Sequence, residues 1–289
     1  MYFDLASPQT PATRTTRRPA SDWTVLIPFF NERDYIAATI VSIAKQTVRP
    51  TIILIDNGST DGGAAVARQT CRDNGVDCVF IAERTPGKIA ALHAGLAEVR
   101  TRYVATCDAD TVYPAHYLEE AQRILERRGC AIAGAYFIAP EADEQARLAK
   151  SRTFLAVARL LPRQCHTGGA GQAFRTSALR AAGGFDPRRW SFVLEDHEII
   201  HRVMANGTMR YSADLWCTPS PRKRDRDSIR WTLFERLTYL ATAPWAGNWF
   251  FYSFLAQRLT RRRLLSYRMR ERQFQTLEGP VLATSHSVF

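Results

Sequence analysis

Short apolar runs alternate with longer amphipathic segments along the chain from residue 23 onward. Four of the apolar runs are nearly unbroken and rich in β-branched residues, as buried strands are; they span 24–29, 51–56, 77–83 and 102–108. Four segments carry apolar residues at helical spacing; they span 33–46, 61–74, 87–99 and 114–128. This alternation predicts right-handed βαβ units in an α/β fold, with a mostly parallel, doubly wound central sheet and helices on both faces.

A polar loop follows each of the four predicted strands. Loops after parallel strands meet at the carboxyl edge of the sheet, where ligands bind in open α/β folds. One such loop alone has an ordinary explanation, since Ser59 or Thr60 in an Asn-Gly-Ser turn can cap the next helix. Four polar loops in succession on one edge instead indicate a binding site on a rigid scaffold.

The loop after the fourth strand carries two carboxylates, Asp108 and Asp110, two residues apart. Oxygen ligands of this kind suit Mg²⁺ or Mn²⁺, and Mg²⁺ is commonly held by one or two carboxylates together with substrate phosphates. Lys88 follows a glycine that allows close backbone approach, and it adds a positive charge for the same phosphates. The motif Asp-x-Asp is by itself a weak signal, because it is common by chance.

Composition places the 289-residue chain among folded proteins, since 46% of its residues are hydrophobic. Its six cysteines show no paired spacing, which predicts reduced thiols in a cytosolic protein. Residues 1–22 are rich in Pro, Thr and Arg and lack the apolar stretch of a signal peptide, so we expect a disordered basic tail.

The net charge of +11 is concentrated near the C-terminus. Residues 219–273 contain thirteen Lys or Arg and four Asp or Glu. This asymmetry indicates an anionic partner, which could be a phosphate, an anionic lipid or a nucleic acid, with a solvated charged face as the alternative.

The stretch 195–203 can be interpreted in two ways. His197, Glu198 and His201 form His-Glu-x-x-His, the spacing with which a helix holds zinc beside a general base. Glu195 and Asp196 form a pair of acids that could serve as a general base of another kind. The zinc interpretation lacks a third ligand at a familiar spacing and leaves the four upstream loops without a role.

Six motifs then occur in a particular order: VLIPFFNE, IDNGSTDGG, PGKIAALHAGL, CDADTVYP, GGAGQAFRTSALRAAGGFD and LEDHEIIHRV. Together they resemble family-two glycosyltransferases of the GT-A fold, over about residues 23–215. The resemblance implies an inverting transfer of a sugar from a nucleotide-diphosphate donor, assisted by Mg²⁺ or Mn²⁺. It also implies a nucleotide-diphospho-sugar transferase fold with a Rossmann-like sheet.

Carried over to this sequence, the resemblance implies a site made of donor-side, catalytic and acceptor-side residues. The implied donor-binding residues are Pro28, Phe30, Glu32, Asp56, Asn57, Lys88, Asp108 and Asp110, the last two also ligating the metal. The implied base is Asp196, with Glu195 second, and the implied acceptor side is Gly169, Gly171, Gln172 and His197. Asn57 departs from the family pattern, because many relatives have a second acid at this position. An amide can still form a hydrogen bond with the edge of the nucleotide base.

The resemblance becomes partial after Cys217. Processive or lipid-acting relatives carry Gln-x-x-Arg-Trp, and Arg230 and Trp231 match its end, whereas Asp227 occupies the Gln position. We interpret this region as a basic flap over the diphosphate, formed by Arg222, Lys223, Arg224, Arg230 and Trp231. A solvated basic loop is the alternative.

Residues 237–256 contain no charged side chain and are followed by an arginine cluster. Their length would suit a transmembrane helix, but Pro244, Gly247 and Asn248 interrupt the middle. Aromatic residues and arginines favour a helix–break–helix element on the bilayer surface. Packing against the catalytic domain without a membrane is a third interpretation.

The sequence thus predicts a metal-dependent inverting glycosyltransferase, acting in cell-envelope glycan synthesis and favouring a UDP sugar. We expect an acceptor hydroxyl, on a lipid or lipid-linked molecule, and a peripheral location on the cytoplasmic face of the membrane. The predicted regions are a tail at 1–22, a catalytic domain at 23–218, a helical extension at 219–274 and a flexible tail at 275–289. The alternatives are a zinc metallopeptidase, a same-fold nucleotidyltransferase, and nucleic-acid binding, which the acidic loops disfavour.

Overall fold

The computed structural model of the protein describes residues 21–221 and 231–271. The predicted tails and the flap residues Arg222, Lys223, Arg224 and Arg230 lie wholly or mostly outside this part of the chain. Within the described residues, eight strands form one sheet: β1 (Trp23–Phe29), β2 (Thr51–Asp56), β3 (Cys78–Ala82), β4 (Tyr103–Thr106), β5 (Thr111–Val112), β6 (Cys130–Phe137), β7 (Gln172–Arg175) and β8 (Thr208–Pro219). Their order across the sheet is β3-β2-β1-β4-β7-β6-β8-β5.

The sheet is mixed, with a parallel half and a half that is mainly antiparallel. β1 pairs in parallel with β2 and β4, and β2 pairs in parallel with β3. β7 is antiparallel to both of its neighbours, β5 is antiparallel to β8, and β6 is parallel to β8. The four predicted strands are the parallel half, and the prediction of βαβ units is confirmed there.

Helices cover both faces of the sheet. They are α1 (Ile36–Ala44), α2 (Gly63–Asp73), α3 (Lys88–Glu98), α4 (Tyr117–Leu125), α5 (Glu144–Leu160), α6 (Thr176–Ala181), α7 (Glu195–Val203), α8 (Leu233–Trp249) and α9 (Ala256–Arg261). One apolar cluster holds the buried residues of α1, α2 and α4, and a second holds those of α3, α6 and α7. Each face therefore has its own core, as expected for a layered α/β fold.

The C-terminal helices join the second of these cores. Phe250, Phe251, Leu255 and Leu259 are fully buried there together with Ile199 of α7. Full burial of a large apolar side chain contributes about 1.5–3 kcal/mol to stability. These side chains therefore hold the extension firmly on the catalytic domain. The packing expected in the third interpretation of residues 237–256 is therefore present.

The predicted break inside 237–256 is also present. α8 contains Pro244, and Ala246 has a non-helical backbone conformation, with φ −129° and ψ 35°. A π-helix, Phe250–Leu255, follows and leads into α9. Among the helices in residues 21–221 and 231–271, none combines the length and the apolar character needed to cross a membrane.

Candidate active site

The loops after β1 and β2 are joined by hydrogen bonds at the carboxyl edge of the sheet. The backbone N–H of Asn31 donates to Oγ of Ser59 (3.1 Å), and Oδ1 of Asn31 accepts from the N–H of Thr60 (2.8 Å). The N–H of Arg33 donates to the carboxylate of Asp61 (2.8 Å). The two loops therefore form one surface, as expected where parallel neighbouring strands end together.

Asn57 holds the loop after β3 against this surface. Its side-chain amide donates to the carbonyls of Glu83 (3.0 Å) and Thr85 (2.8 Å), and its Oδ1 accepts from the N–H of Gly87 (2.8 Å). The side chain is buried. An aspartate could not donate the first two bonds, so the departure of Asn57 from the family pattern has a structural reason. The predicted contact of Asn57 with the nucleotide base stays a prediction.

Lys88, the first residue of α3, reaches from that loop to the end of β4. Its ammonium donates to Oδ1 of Asp108 (2.6 Å) and lies 3.7 Å from Oε1 of Glu195. Burial alone would lower the pKa of Lys88, but the carboxylates of Asp108 and Glu195 outweigh burial and raise this pKa above its usual value. Lys88 is therefore a fixed positive charge between the Asp-x-Asp motif and the acidic pair.

Asp110 lies deeper than Asp108, with 6% of its surface exposed. Ser220, at the end of β8, donates its N–H to the Asp110 carbonyl (2.7 Å) and its hydroxyl to Oδ2 (3.3 Å). The pairing of β5 with β8 brings these distant parts of the chain together. The β5–β8 pairing thus positions Ser220, and the Ser220 hydroxyl supports the Asp110 carboxylate.

The acidic pair begins helix α7. Leu194 precedes it with φ +65°, a left-handed conformation unusual for a residue with a branched side chain, and such strain is commonest at functional sites. Burial raises the pKa of Glu195 above its usual value despite the nearby Lys88 ammonium. For Asp196 burial is outweighed by His197, and its pKa lies below the usual value. Asp196 is therefore ionised at neutral pH, as a general base must be.

The backbone of the glycine-rich loop contacts Asp196 directly. The N–H of Gly169 donates to Oδ2 of Asp196 (3.1 Å), and a Cβ on Gly169 would lie 3.0 Å from the Lys88 ammonium. The amide of Gln172 donates to the Asp196 carbonyl (3.0 Å). Gln172 and Gly171 are buried, so they support the loop and the start of α7. Their predicted acceptor contacts stay predictions.

The remaining predicted residues line the same edge from neighbouring elements. Pro28 is buried inside β1, whereas Phe30 and Glu32 follow that strand and are half-buried. Asp56 accepts a hydrogen bond from the N–H of Ser59 (2.8 Å). Trp231 is the one flap candidate within the described residues, and its ring lies 5.2 Å from that of His197.

The zinc interpretation of His197, Glu198 and His201 is not supported by their surroundings. Glu198 is buried in an ion pair with Arg202 (2.6 Å) and accepts the hydroxyl of Tyr252 (2.6 Å), so it is not a free base. The ring of His201 stacks on Phe251 and bonds Asn248. In the described part of the chain, no group of three or more His, Cys, Asp or Glu is arranged to hold a metal.

Three residues of the site were not singled out from the sequence. The hydroxyl of Tyr113 accepts from the Asp108 N–H (3.1 Å) and donates to the Ala170 carbonyl (3.0 Å), which joins the Asp-x-Asp loop to the glycine-rich loop. Ser220 supports Asp110, and Tyr239 packs beside His197. Tyr113 lies within a recognised motif and could have been found, whereas the other two have no local signal.

The donor atoms at this edge fit a hard divalent cation that is completed by phosphates. Asp108 and Asp110 offer carboxylate oxygens, and Ser220 offers a hydroxyl. The two carboxylates of the Asp-x-Asp motif suit Mg²⁺ or Mn²⁺ bound together with a diphosphate, because such ions need few protein ligands. A zinc ion would favour a cluster of His or Cys ligands, and no group of three or more His, Cys, Asp or Glu is arranged to hold a metal among the described residues.

Comparison with known proteins agrees with the motifs. The family model described as "Glycosyl transferase family 2" matches residues 24–183, more than half of the chain. The putative teichuronic acid biosynthesis glycosyltransferase TuaG of Bacillus subtilis is 32% identical over 110 residues, covering 37% of this chain and 43% of that protein. The undecaprenyl-phosphate 4-deoxy-4-formamido-L-arabinose transferase of Edwardsiella ictaluri is 31% identical over 107 residues, covering 35% and 32%. The matched regions thus span less than half of these curated relatives.

A solved structure shares the fold. The mannosyltransferase PcManGT from Pyrobaculum calidifontis, in complex with GDP-Man and Mn²⁺, aligns with a TM-score of 0.62 at 20% identity. The alignment covers 83% of this chain and 75% of that one. The predicted GT-A fold is therefore confirmed.

Proposed function

The chain belongs to glycosyl transferase family 2, and we propose that it transfers a sugar from a nucleotide-diphosphate donor to an acceptor hydroxyl, with inversion at the anomeric carbon. One observation carries the proposal: the Lys88 ammonium lies between Asp108 of the Asp-x-Asp motif (2.6 Å) and Glu195 of the acidic pair (3.7 Å). Donor-side and base-side motifs therefore belong to one site.

Donor binding would use the carboxyl edge of the parallel strands. Asp108 and Asp110 would hold Mg²⁺ or Mn²⁺, which supplies neutralisation of the charge on the diphosphate when it is bound. Lys88 adds a charge-assisted contact for the same phosphates. Asp56, Asn57 and the residues after β1 would surround the nucleotide, for which we favour UDP.

Transfer would use Asp196 as the general base. Its ionised carboxylate accepts the proton of the acceptor hydroxyl while the acceptor oxygen forms a bond to the anomeric carbon. The bond from that carbon to the diphosphate breaks on the opposite face, so the electron pair leaves with the nucleotide diphosphate. Glu195 faces the Lys88 ammonium at 3.7 Å, so we assign it to supporting that charge rather than to the role of base.

We infer that the acceptor is carried by a lipid. The relative from Edwardsiella ictaluri is named for undecaprenyl phosphate, which supports an acceptor of polyprenyl type. A phosphate oxygen is already ionised at neutral pH and needs no base, whereas a hydroxyl does. The presence of Asp196 therefore favours a hydroxyl on a lipid-linked sugar over a bare lipid phosphate.

A surface of α8 supports peripheral attachment to a bilayer. Four large apolar side chains are exposed on its outer side: Leu233 (73%), Phe234 (59%), Leu237 (55%) and Trp245 (87%). Arg258 lies over the ring of Phe234 (5.4 Å), and Arg163 lies over Trp245 (6.0 Å). Exposed aromatic and aliphatic groups among arginines suit the headgroup region of anionic lipids. We place this surface on the cytoplasmic side of the membrane.

Nucleotide release tests the proposed activity. Purified protein is incubated with UDP-glucose, UDP-galactose, UDP-N-acetylglucosamine or GDP-mannose in Mn²⁺ or EDTA. The acceptor is water, undecaprenyl phosphate, or undecaprenyl-diphosphate-linked N-acetylglucosamine. We expect metal-dependent release with one donor and the fastest rate with the hydroxyl-bearing lipid. Absence of release and of transfer in every combination would contradict the proposal.

A further inference from the structure

His197 is bonded to the carboxylate that we propose as the base. Both its backbone N–H and its ring Nδ1 lie 2.9 Å from Oδ1 of Asp196. The N–H of Gly169 occupies Oδ2 at 3.1 Å. A carboxylate has about four lone-pair positions, so these three contacts leave room for about one further donor, such as an acceptor hydroxyl.

The tautomer of His197 follows from this contact. An ionised carboxylate only accepts hydrogen bonds, so Nδ1 must carry the proton that bonds Asp196. The pKa of Asp196 lies below its usual value, which agrees with an ionised carboxylate at neutral pH. His197 is thus a hydrogen-bond donor toward Asp196 through Nδ1.

Aromatic residues of the C-terminal extension fix the ring of His197. Trp231 contacts it edge to face, with centroids 5.2 Å apart, and Tyr239 does so at 6.3 Å. Trp231 in turn stacks on the buried ring of Phe250 at 5.4 Å. The hydroxyl of Tyr239 accepts from the backbone of Cys165 (3.1 Å), which fixes that ring as well. Each partner of His197 is thus itself held in place.

We propose that His197 is a positioning residue that holds the Asp196 carboxylate in the orientation for proton abstraction, and that the C-terminal extension acts on the site through it. This inference rests on the proposed function, because it takes Asp196 as the base. In this role His197 acts through Asp196 and not on the reacting atoms. Its bond to Oδ1 prevents rotation of the carboxylate, so Oδ2 stays directed at the acceptor.

Turnover of four variants tests the inference. His197→Phe keeps a ring for Trp231 and Tyr239 but removes the Nδ1–H donor, whereas His197→Asn keeps a donor near the position of Nδ1. We expect His197→Phe to lower kcat by about 100-fold, as misplacement of a catalytic group does, with donor KM within about twofold. We expect His197→Ala to lower kcat in the same way, and His197→Asn to retain most of the kcat that His197→Ala loses.

His201→Phe is the matched control. It makes the same ring exchange one turn further along α7, where the ring stacks on Phe251 and bonds Asn248. We expect kcat close to that of the unmodified protein. If His197→Phe and His201→Phe behave alike, or if His197→Asn is no better than His197→Ala, the positioning role is overturned.

Two further measurements separate this inference from the proposed function. If Asp196→Asn keeps full turnover, the base assignment fails; if it is inactive while His197→Phe is unchanged, only the inference fails. Nitrogen NMR of ¹⁵N-histidine-labelled protein at pH 8.5 needs no substrate, and the His197 signal is assigned from its loss in His197→Phe. We expect Nδ1 to carry the proton, and the Nε2–H form in Asp196→Ala. An Nε2–H form in the unmodified protein would overturn the proposal.

Discussion

Charge placement around Lys88 organises the candidate site. One ammonium lies within reach of two carboxylates that belong to motifs 87 residues apart in the sequence, Asp108 and Glu195. The Lys88 side chain is partly exposed (30%), and its two anionic partners offset its charge together. The site is therefore held by its own electrostatics before any donor binds.

Asp196→Asn should leave metal-dependent nucleotide binding intact and lower turnover by at least about 100-fold, because only the proton acceptor is lost. Glu195→Gln should lower turnover less, since Glu195 faces the Lys88 ammonium and is not assigned as the base. Steady-state kinetics alongside nucleotide titration gives both quantities. Loss of binding in Asp196→Asn, with turnover per bound donor unchanged, would refute this division of roles.

Asn57→Asp should destabilise the fold even though it restores the acid found in many relatives. Two bonds donated by a buried side chain to backbone carbonyls are lost, and a carboxylate then faces two carbonyl oxygens. We expect the free energy of unfolding in urea to fall by about 1–3 kcal/mol. Asn74→Asp is the control, because Asn74 also donates to a backbone carbonyl but is exposed, and its cost should stay below about 1 kcal/mol. Equal losses would contradict the structural role of Asn57.

The site residues that could be found from sequence are charged residues that follow predicted buried strands. Asp108, Asp110 and Lys88 follow predicted strands, so topology alone brings them to one edge. Tyr239 and Ser220 could not be found this way. Ser220 meets Asp110 across 110 residues through the β5–β8 pairing, and no local pattern encodes that contact.

Among the elements, α8 and α9 are joined by a buried ion network. Glu235 has no exposed surface and bonds Arg258 (2.9 Å) and Arg262 (3.0 Å), while it also completes a capping box with Thr232 at the start of α8. Burial alone would raise the pKa of Glu235, but the Thr232 N–H and the two guanidinium groups hold it below its usual value. The network fixes the helix that carries Tyr239 and, through it, the surroundings of His197.

Glu235→Gln should therefore lower the free energy of unfolding by about 1.5–3 kcal/mol at pH 7. Because the folded pKa is depressed, this contribution is fully present above the unfolded value of about 4.3 and is lost as pH falls through the folded pKa. Urea unfolding at several pH values should show the two proteins converging in acid. Glu119→Gln, which breaks the exposed pair with Arg123, should change stability by less than about 0.5 kcal/mol. A pH-independent difference would contradict this origin of the stability.

The elements that were predicted have strong periodic patterns, and those that were missed do not. Strands 24–29 and 51–56 are almost unbroken β-branched runs, and the structure confirms them within one residue. β6 is half alanine or glycine, and β8 mixes exposed polar residues with buried ones, because it lies near the edge of the sheet. Their identity as strands depends on partners far along the chain.

In the molecule as a whole, one helix, α8, carries the exposed apolar surface and also contacts the candidate site. The outer side of α8 exposes Leu233, Leu237 and Trp245, while its inner side carries Tyr239 against His197. Helix α8, Tyr239 and His197 therefore lie between this apolar surface and Asp196. This arrangement suits a protein that reaches its acceptor from the bilayer surface.

Vesicle sedimentation tests this orientation. We expect the protein to bind vesicles containing phosphatidylglycerol better than phosphatidylcholine vesicles, with binding weakened by salt. Leu237→Glu combined with Trp245→Glu should lower partitioning at least about tenfold, because each apolar side chain contributes about 1.5–3 kcal/mol when buried. Val79→Glu changes a comparably exposed residue (43%) on β3 and should bind normally. Equal binding by all three proteins would exclude this surface of α8.

Metal-dependent nucleotide binding tests the proposed donor site most directly. Thermal unfolding is followed with UDP, GDP, CMP or ADP, each with Mn²⁺, Mg²⁺ or EDTA, in the unmodified protein, Asp110→Asn and the exposed control Asp214→Asn. We predict that UDP raises the midpoint only with metal, by an amount equivalent to about 2.7 kcal/mol at one hundred times its Kd, and that Asp110→Asn abolishes the rise while Asp214→Asn keeps it. No rise with any nucleotide, or the same rise in Asp110→Asn, would contradict a metal-assisted donor site at this edge of the sheet.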